Sequence, residues 1–233
     1  MYICCMNTSI VTSYKETPSI ENFNHLMDIL LEKKFTISDL NLSARVTSHW
    51  KKFGIIPGED GKWMKLDLFQ LIWVEIVKDL REFGMHLPKI KKLMEFILPP
   101  ISMFDLVDVL KENPHFLDSL NNPLVEKGKE LRELIQELFL LDEQTLKSKL
   151  KGLNTLSLFQ LKILLAIVTN LEFSLLVDQD GKSQLSLFGE SKSSPSNLMQ
   201  NSPYITLPLN RYVNKFIVNT ASEENLKEYR LLQ

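Results

Sequence analysis

Between Leu66 and Gly84 the chain reads LDLFQLIWVEIVKDLREFG, with Phe69, Ile72, Trp73, Ile76, Leu80 and Phe83 at helical spacing. Asp67 stands at the start of this pattern, and Gly84 ends it. A long helix with an apolar face is therefore the element to which the rest of the chain must fit. LPKIKKLMEFIL (87–98) predicts a second helix, with proline in its first turn and Pro99-Pro100 as a hard stop. The double proline is the expected domain boundary.

Upstream, residues 1–17 are Ser/Thr-rich and unpatterned, and read as a disordered lead-in. SIENFNHLMDILLEKK predicts a capped amphipathic helix that ends in lysines. FTISDLNL reads as a brief helical turn or an extended strand. Ser43 is a credible N-cap for SARVTSHWKKF, in which Val46, Trp50 and Phe53 face one way and Arg45, Ser48, His49, Lys51 and Lys52 face others. Gly54 and Pro57 close that helix, and Asp60-Gly61 signals a hairpin turn.

Beyond the prolines lie further helical patterns: ISMFDLVDVLKEN, NPLVEKGKELRELIQELF, DEQTLKSKL and TLSLFQLKILLAIVTNL. The period then changes to two in FSLLVDQDGKSQLSLF, which predicts a hairpin around Asp180-Gly181. A Ser/Pro-rich loop (189–203), a strand at YITLPL, a helix at NRYVNKFIVN and a terminal helix starting at Ser222 complete the chain. The helix at 156–171, the hairpin's first strand and YITLPL together suggest an α+β core. The expected fold class is mainly α, with a helical to α+β region over 101–233.

Hydrophobic residues make up 44% of the 233, enough for a buried core. A net charge of -2 means that any nucleic-acid surface must arise by local clustering. Such a cluster exists: from Asn41 to Lys65, Arg45, Lys51, Lys52, Lys62 and Lys65 oppose only Glu59 and Asp60, a local +3. Cys4 and Cys5 are adjacent at the terminus and make neither a disulfide framework nor a metal cage. His25, His86 and His115 lie at no ligand spacing and read as structural. Asp178, Asp180 and Gly181 lack the remaining ligands of a calcium loop. The apolar window 157–173 is interrupted by Gln160 and Lys162 and is too short for a bilayer. With no secretory signal, a cytoplasmic protein is expected. No phosphate loop or nucleophile elbow is present, so no enzyme and no cofactor is expected.

A short helical piece, a tight turn, a basic helix, a two-stranded wing and a long apolar helix describe a winged helix-turn-helix, a design for duplex DNA. FTISDLNLSARVTSHWKKFGII, GEDGKWMKL and DLFQLIWVEIVKDLREFGMHLPKIKKL, in that order, resemble the DNA-binding domain of MerR-family transcription regulators, in a divergent, Bacteroidetes-like branch. The resemblance covers about residues 35–95 and places the domain, with its preceding helix, at 18–98. It departs from the family pattern at Met64 and Leu66, where a wing arginine and an aromatic are usual, leaving Lys62 and Lys65 as substitutes.

The resemblance implies groove and phosphate contacts from Ser43, Arg45, Thr47, Ser48 and His49, and a backbone contact from Lys51. It puts Trp50 and Phe53 in the core. Lys89, Lys91 and Lys92 are either a second phosphate clamp or an exposed face, His49 either a base reader or a surface histidine. Trp63 reads as hairpin packing. The expected partners are double-stranded DNA and a second copy of the chain, with a small-molecule effector possible and no membrane. The expected function is sequence-specific transcription regulation. An architectural, excisionase-like protein and a protein-interaction module that no longer touches DNA are the alternatives.

Overall fold

The helix that follows Asp67 organises one of two compact units in the computed structural model, which describes residues 20–56, 65–112, 118, 128–149, 155–169, 172–187 and 203–217. Expectations for the lead-in, the wing turn with Lys62 and Trp63, His115, the Ser/Pro-rich stretch and the segment from Ser222 fall outside those residues. Helix predominates, with small antiparallel sheets.

One unit joins Leu30–Leu98 to Glu172–Thr220. Strand β1 (Phe35–Thr36) pairs antiparallel with β2 (Lys65–Leu66), Phe35 opposite Leu66 and Thr36 opposite Lys65. FTISDLNL is thus both of the forms it suggested: the strand, then a 3-10 turn over Ile37–Leu40. Asn41, at φ 53°, turns the chain into helix α2 (Ala44–Lys52); asparagine tolerates that left-handed conformation better than most residues.

Helix α3 (Leu68–Glu82) starts with a reciprocal cap. The Gln70 N–H donates to the Asp67 carboxylate at 2.8 Å, and the Asp67 N–H donates to the Gln70 side-chain oxygen at 3.2 Å. From Leu71 to Val77 every residue is buried, so α3 is surrounded rather than half-exposed. The expected apolar stripe was narrower than that, and it wrongly included Phe83, which is 64% exposed. Helix α4 (Leu87–Ile97) begins with Pro88 in its first turn and buries Leu87, Ile90, Leu93 and Ile97.

The later half of this unit is a three-stranded antiparallel sheet in the order β6-β5-β7. The predicted hairpin is β5 (Phe173–Asp178) with β6 (Ser183–Leu187), and β7 (Tyr204–Pro208) lies on the other side of β5. Every residue of β5 is buried, so both of its faces are covered. Helix α9 (Leu209–Ile217) packs on both β5 and α3 through Leu209, Tyr212, Val213 and Phe216. Two polar ties cross between the helices: the Tyr212 hydroxyl donates to Asp79 at 2.7 Å, and the Lys215 ammonium donates to Glu75. Burial and the neighbouring Asp79 carboxylate raise the Tyr212 phenol far above its usual range.

The other unit takes Pro99–Leu171 and the first helix up to Ile29. Helix α1 is Ile20–Leu31, and its Asn24 side-chain amide donates to the Lys149 carbonyl at 2.8 Å. Strand β3 (Pro100–Ser102) pairs antiparallel with β4 (Thr155–Ser157). Each feeds a helix through a serine cap: Ser102 accepts from the Asp105 N–H at 2.9 Å, and Ser157 from the Gln160 N–H at 3.1 Å. The capped helices are α5 (Met103–Lys111) and α8 (Leu158–Thr169), with α6 (Gly128–Phe139) and α7 (Glu143–Lys149) between them.

Two organisational expectations change. The chain does pass from one unit to the other at the double proline, but 101–233 is not a single region, because the segment from Glu172 returns to the unit of α3. The helix packed on the sheet is α9, on β5, while α8, expected beside these strands, falls in the other unit. The helix expected over 156–171 starts only at Leu158, because Thr155–Ser157 is claimed by β3.

Asp67 links the α3 cap to pH. Burial holds its carboxyl above the ordinary range, opposed by the Gln70 N–H, the Lys33 charge and the Phe69 N–H. An acid whose folded pKa exceeds its unfolded one stabilises fully below the unfolded value, near 3.8, and loses that contribution as pH rises through the folded value. Asp67→Ala is expected to cost about 1 kcal/mol through the lost cap. Asp67→Asn keeps a capping oxygen without the charge, so its stability relative to wild type should improve as pH rises from 4 towards neutrality. Urea midpoints across that range provide the check, and an unchanging difference would exclude the buried-charge penalty.

Candidate nucleic-acid interface

Helix α2 and its cap Ser43 together carry more than half of the residues singled out for DNA contact, and the helix ends are built from its own sequence. Ser43 is extended at φ -69° and ψ 148°, and its hydroxyl accepts from the Val46 N–H at 3.3 Å. At the other end the Ile55 N–H returns to the Trp50 carbonyl at 3.0 Å and the Gly54 N–H to the Lys51 carbonyl at 2.8 Å. This Schellman pairing requires a left-handed residue after the cap, which Gly54 supplies at φ +69°. The same arrangement closes α3 at Gly84.

The buried side of α2 is set by Trp50 and Thr47. Ile55, itself buried, accepts a hydrogen bond on its carbonyl from the Trp73 indole N–H at 2.9 Å. The turn leaving α2 is thereby fastened to the middle of α3. Arg45, Ser48, His49 and Lys52 are exposed. They occupy positions i, i+3, i+4 and i+7 and so form one stripe. No acidic residue occurs in α2, and among the described residues none of its cations forms an ion pair.

The structure separates the remaining candidates. Thr47 is buried and its hydroxyl donates to the Ser43 carbonyl at 3.1 Å, which removes it from the exposed stripe. Ser43 is exposed but engaged as the cap, and Lys51 is half-buried. Phe53, expected in the core, is 37% exposed and meets the His49 ring edge-on at 5.1 Å. Phe53 is the C-cap residue, still αR with its N–H on the His49 carbonyl, and helical phase sets it beside His49, four residues earlier on the exposed side. Lys65 is exposed at the start of β2, while Lys62 lies outside the described residues.

On α4, Lys91 and Lys92 are exposed. Lys89 is not a free cation: its ammonium donates to the Gln179 carbonyl and stands 3.6 Å from the Asp180 carboxylate. Lys52 was absent from the set expected to touch DNA. The signal was legible, because Lys52 lies three residues beyond His49 and seven beyond Arg45 on the side away from Trp50.

Among the described residues no cluster of three His, Cys, Asp or Glu is arranged to hold a metal ion, and no helix is long and apolar enough to cross a membrane. No protein-family model, curated protein or solved structure matches this chain.

Proposed function

We propose that the chain is a sequence-specific, duplex-DNA-binding transcription regulator whose helix α2 enters the major groove. The observation that carries this reading is the exposed Arg45, Ser48, His49 and Lys52 stripe on a helix seated through Trp50 and fastened at Ile55. Arginine reads guanine in the groove, serine and histidine supply adaptable hydrogen bonds, and the lysine serves phosphate. The preceding 3-10 turn, the β1–β2 ladder and the following α3 support a winged helix-turn-helix, in keeping with the MerR-like order of the segments. In this arrangement Lys65 lies beside the wing and adds phosphate affinity. A homodimer on a palindromic operator is the associated assembly.

The test is fluorescence anisotropy of the full chain against duplex from its own upstream region and a scrambled duplex, over a salt series. Specific binding should be roughly a thousandfold tighter than to the scrambled duplex and should weaken with salt. Arg45→Ala combined with Lys52→Ala should reduce specific affinity by roughly tenfold or more. Both side chains are exposed, so the thermal midpoint should stay close to that of wild type. Binding to neither duplex at low salt, or full affinity in the double variant, would remove the proposed interface.

A further inference from the structure

The β5–β6 turn does more than reverse the chain. The buried Asp178 carboxylate accepts from the backbone N–H groups of Asp180 and Lys182, both at 2.8 Å. The Asp178 N–H donates to the Lys182 carbonyl at 2.9 Å, and the Gly181 N–H to the Asp178 carbonyl at 3.1 Å. This turn is therefore internally determined. Gly181 sits at φ +80°, and a Cβ there would stand 2.7 Å from the Lys89 carbonyl oxygen. Only glycine permits so close a seat on the first turn of α4.

The turn presents to the Lys89 ammonium one acceptor, the Gln179 carbonyl, and one counter-charge, the Asp180 carboxylate at 3.6 Å. Lys89 and Lys92 are three residues apart and share a side of α4, with Lys91 adjacent. Lys91 and Lys92 are exposed and, among the described residues, without an ion pair. The turn thus neutralises one member of a cationic group and leaves the others open. The Lys89 and Asp180 side chains are 39% and 65% exposed, so their attraction is water-screened and weak enough for another anion to displace. The backbone seat at Gly181 does not depend on that ion pair, so both groups stay in place when the lysine leaves.

Building on the DNA-binding reading above, we infer that the β5–β6 turn is an autoinhibitory contact. Asp180 and the Gln179 carbonyl hold the Lys89 ammonium against the protein, in competition with the phosphate backbone of duplex DNA. The turn sets the affinity of the reader by withholding one cation.

Asp180→Asn removes the competing charge at an exposed position while leaving the backbone bonds of the turn. It is expected to raise affinity for duplex DNA roughly two- to fivefold and to steepen the salt dependence by up to about one counterion. Glu95→Gln removes an equal charge from an exposed site on α4 itself and controls for the general loss of repulsion. In a Lys89→Ala background, Asp180→Asn should have no larger effect than Glu95→Gln. If wild type binds duplex DNA but Asp180→Asn matches Glu95→Gln, the autoinhibitory contact is overturned and the DNA-binding reading survives. If the advantage persists without Lys89, the effect does not run through this lysine and the contact is likewise overturned. If wild type binds no duplex, both readings fall.

Discussion

Replacing Trp73 with alanine is expected to destabilise the protein by about 3–5 kcal/mol, the range for removing a fully buried aromatic. Trp73 is 1% exposed and belongs to the stretch of α3 that is buried all round. Two losses combine at this residue. The first is the cavity left by the indole among neighbours held on an otherwise intact helix. The second is the hydrogen bond to the Ile55 carbonyl, whose residue is itself completely buried. A buried acceptor deprived of its donor carries a desolvation penalty of about 1–3 kcal/mol.

Trp73→Phe separates these losses, since it keeps most of the ring volume and removes the indole N–H. It should cost less than the alanine variant, yet loosen the turn that leaves α2. Urea unfolding of both variants, with amide exchange at Ile55 and Ile56, provides the measurement. If Trp73→Phe unfolds like wild type, with unchanged exchange at Ile55, the indole hydrogen bond does not hold α2 in place.

The second large effect is expected at Lys215, where an exposed lysine partners a buried carboxylate and the two members of the ion pair are unequal. Glu75 is 4% exposed in the middle of α3, and its partner arrives from α9, 140 residues later. Lys78 stands 3.6 Å from the same carboxylate oxygen, and the other oxygen, Oε2, is buried without a hydrogen-bond partner in the structure. Lys215→Met leaves the carboxylate buried with only the more distant lysine and is expected to cost about 3 kcal/mol. Glu75→Gln should cost less, because the lysine it frees is on the surface side and can return to water. Joining the two replacements should recover much of the loss in Lys215→Met, since two neutral side chains impose no stranded charge. A double-mutant cycle by chemical denaturation measures this coupling, and strictly additive effects would exclude it.

Much of the local structure was legible because it is governed by residues close in sequence. Asp67 with Gln70, Ser43 before α2 and the glycines at 54 and 84 define helix ends through hydrogen bonds spanning only a few residues. The β5–β6 hairpin follows in the same way from period-two patterning around Asp180-Gly181. The polar side of α2, with Arg45, Ser48, His49, Lys51 and Lys52, was legible in the sequence, whereas the DNA-contact set drawn from the resemblance lacked Lys52 and held the buried Thr47. Thr47 was misjudged because a threonine hydroxyl can satisfy itself on the carbonyl four residues earlier and then accept burial. Phe53 was misplaced because it was grouped with Trp50, three residues earlier, whereas its ring lies against the exposed His49, four residues earlier.

What the sequence by itself determined is where helices and turns form, and which side of α2 is polar. Those properties depend on caps, glycine conformations and side-chain spacing within a few residues. Only the tertiary structure decided which elements share a core, because that depends on segments that return after long separations. The segment after Glu172 closes on α3, supplying Lys215 to Glu75 and Tyr212 to Asp79. The same return sets Gly181 against Lys89 and turns an apparently free lysine into a held one. Burial of Glu75 and capture of Lys89 have no local signature, since a charge reveals its partner only when the chain brings the two together.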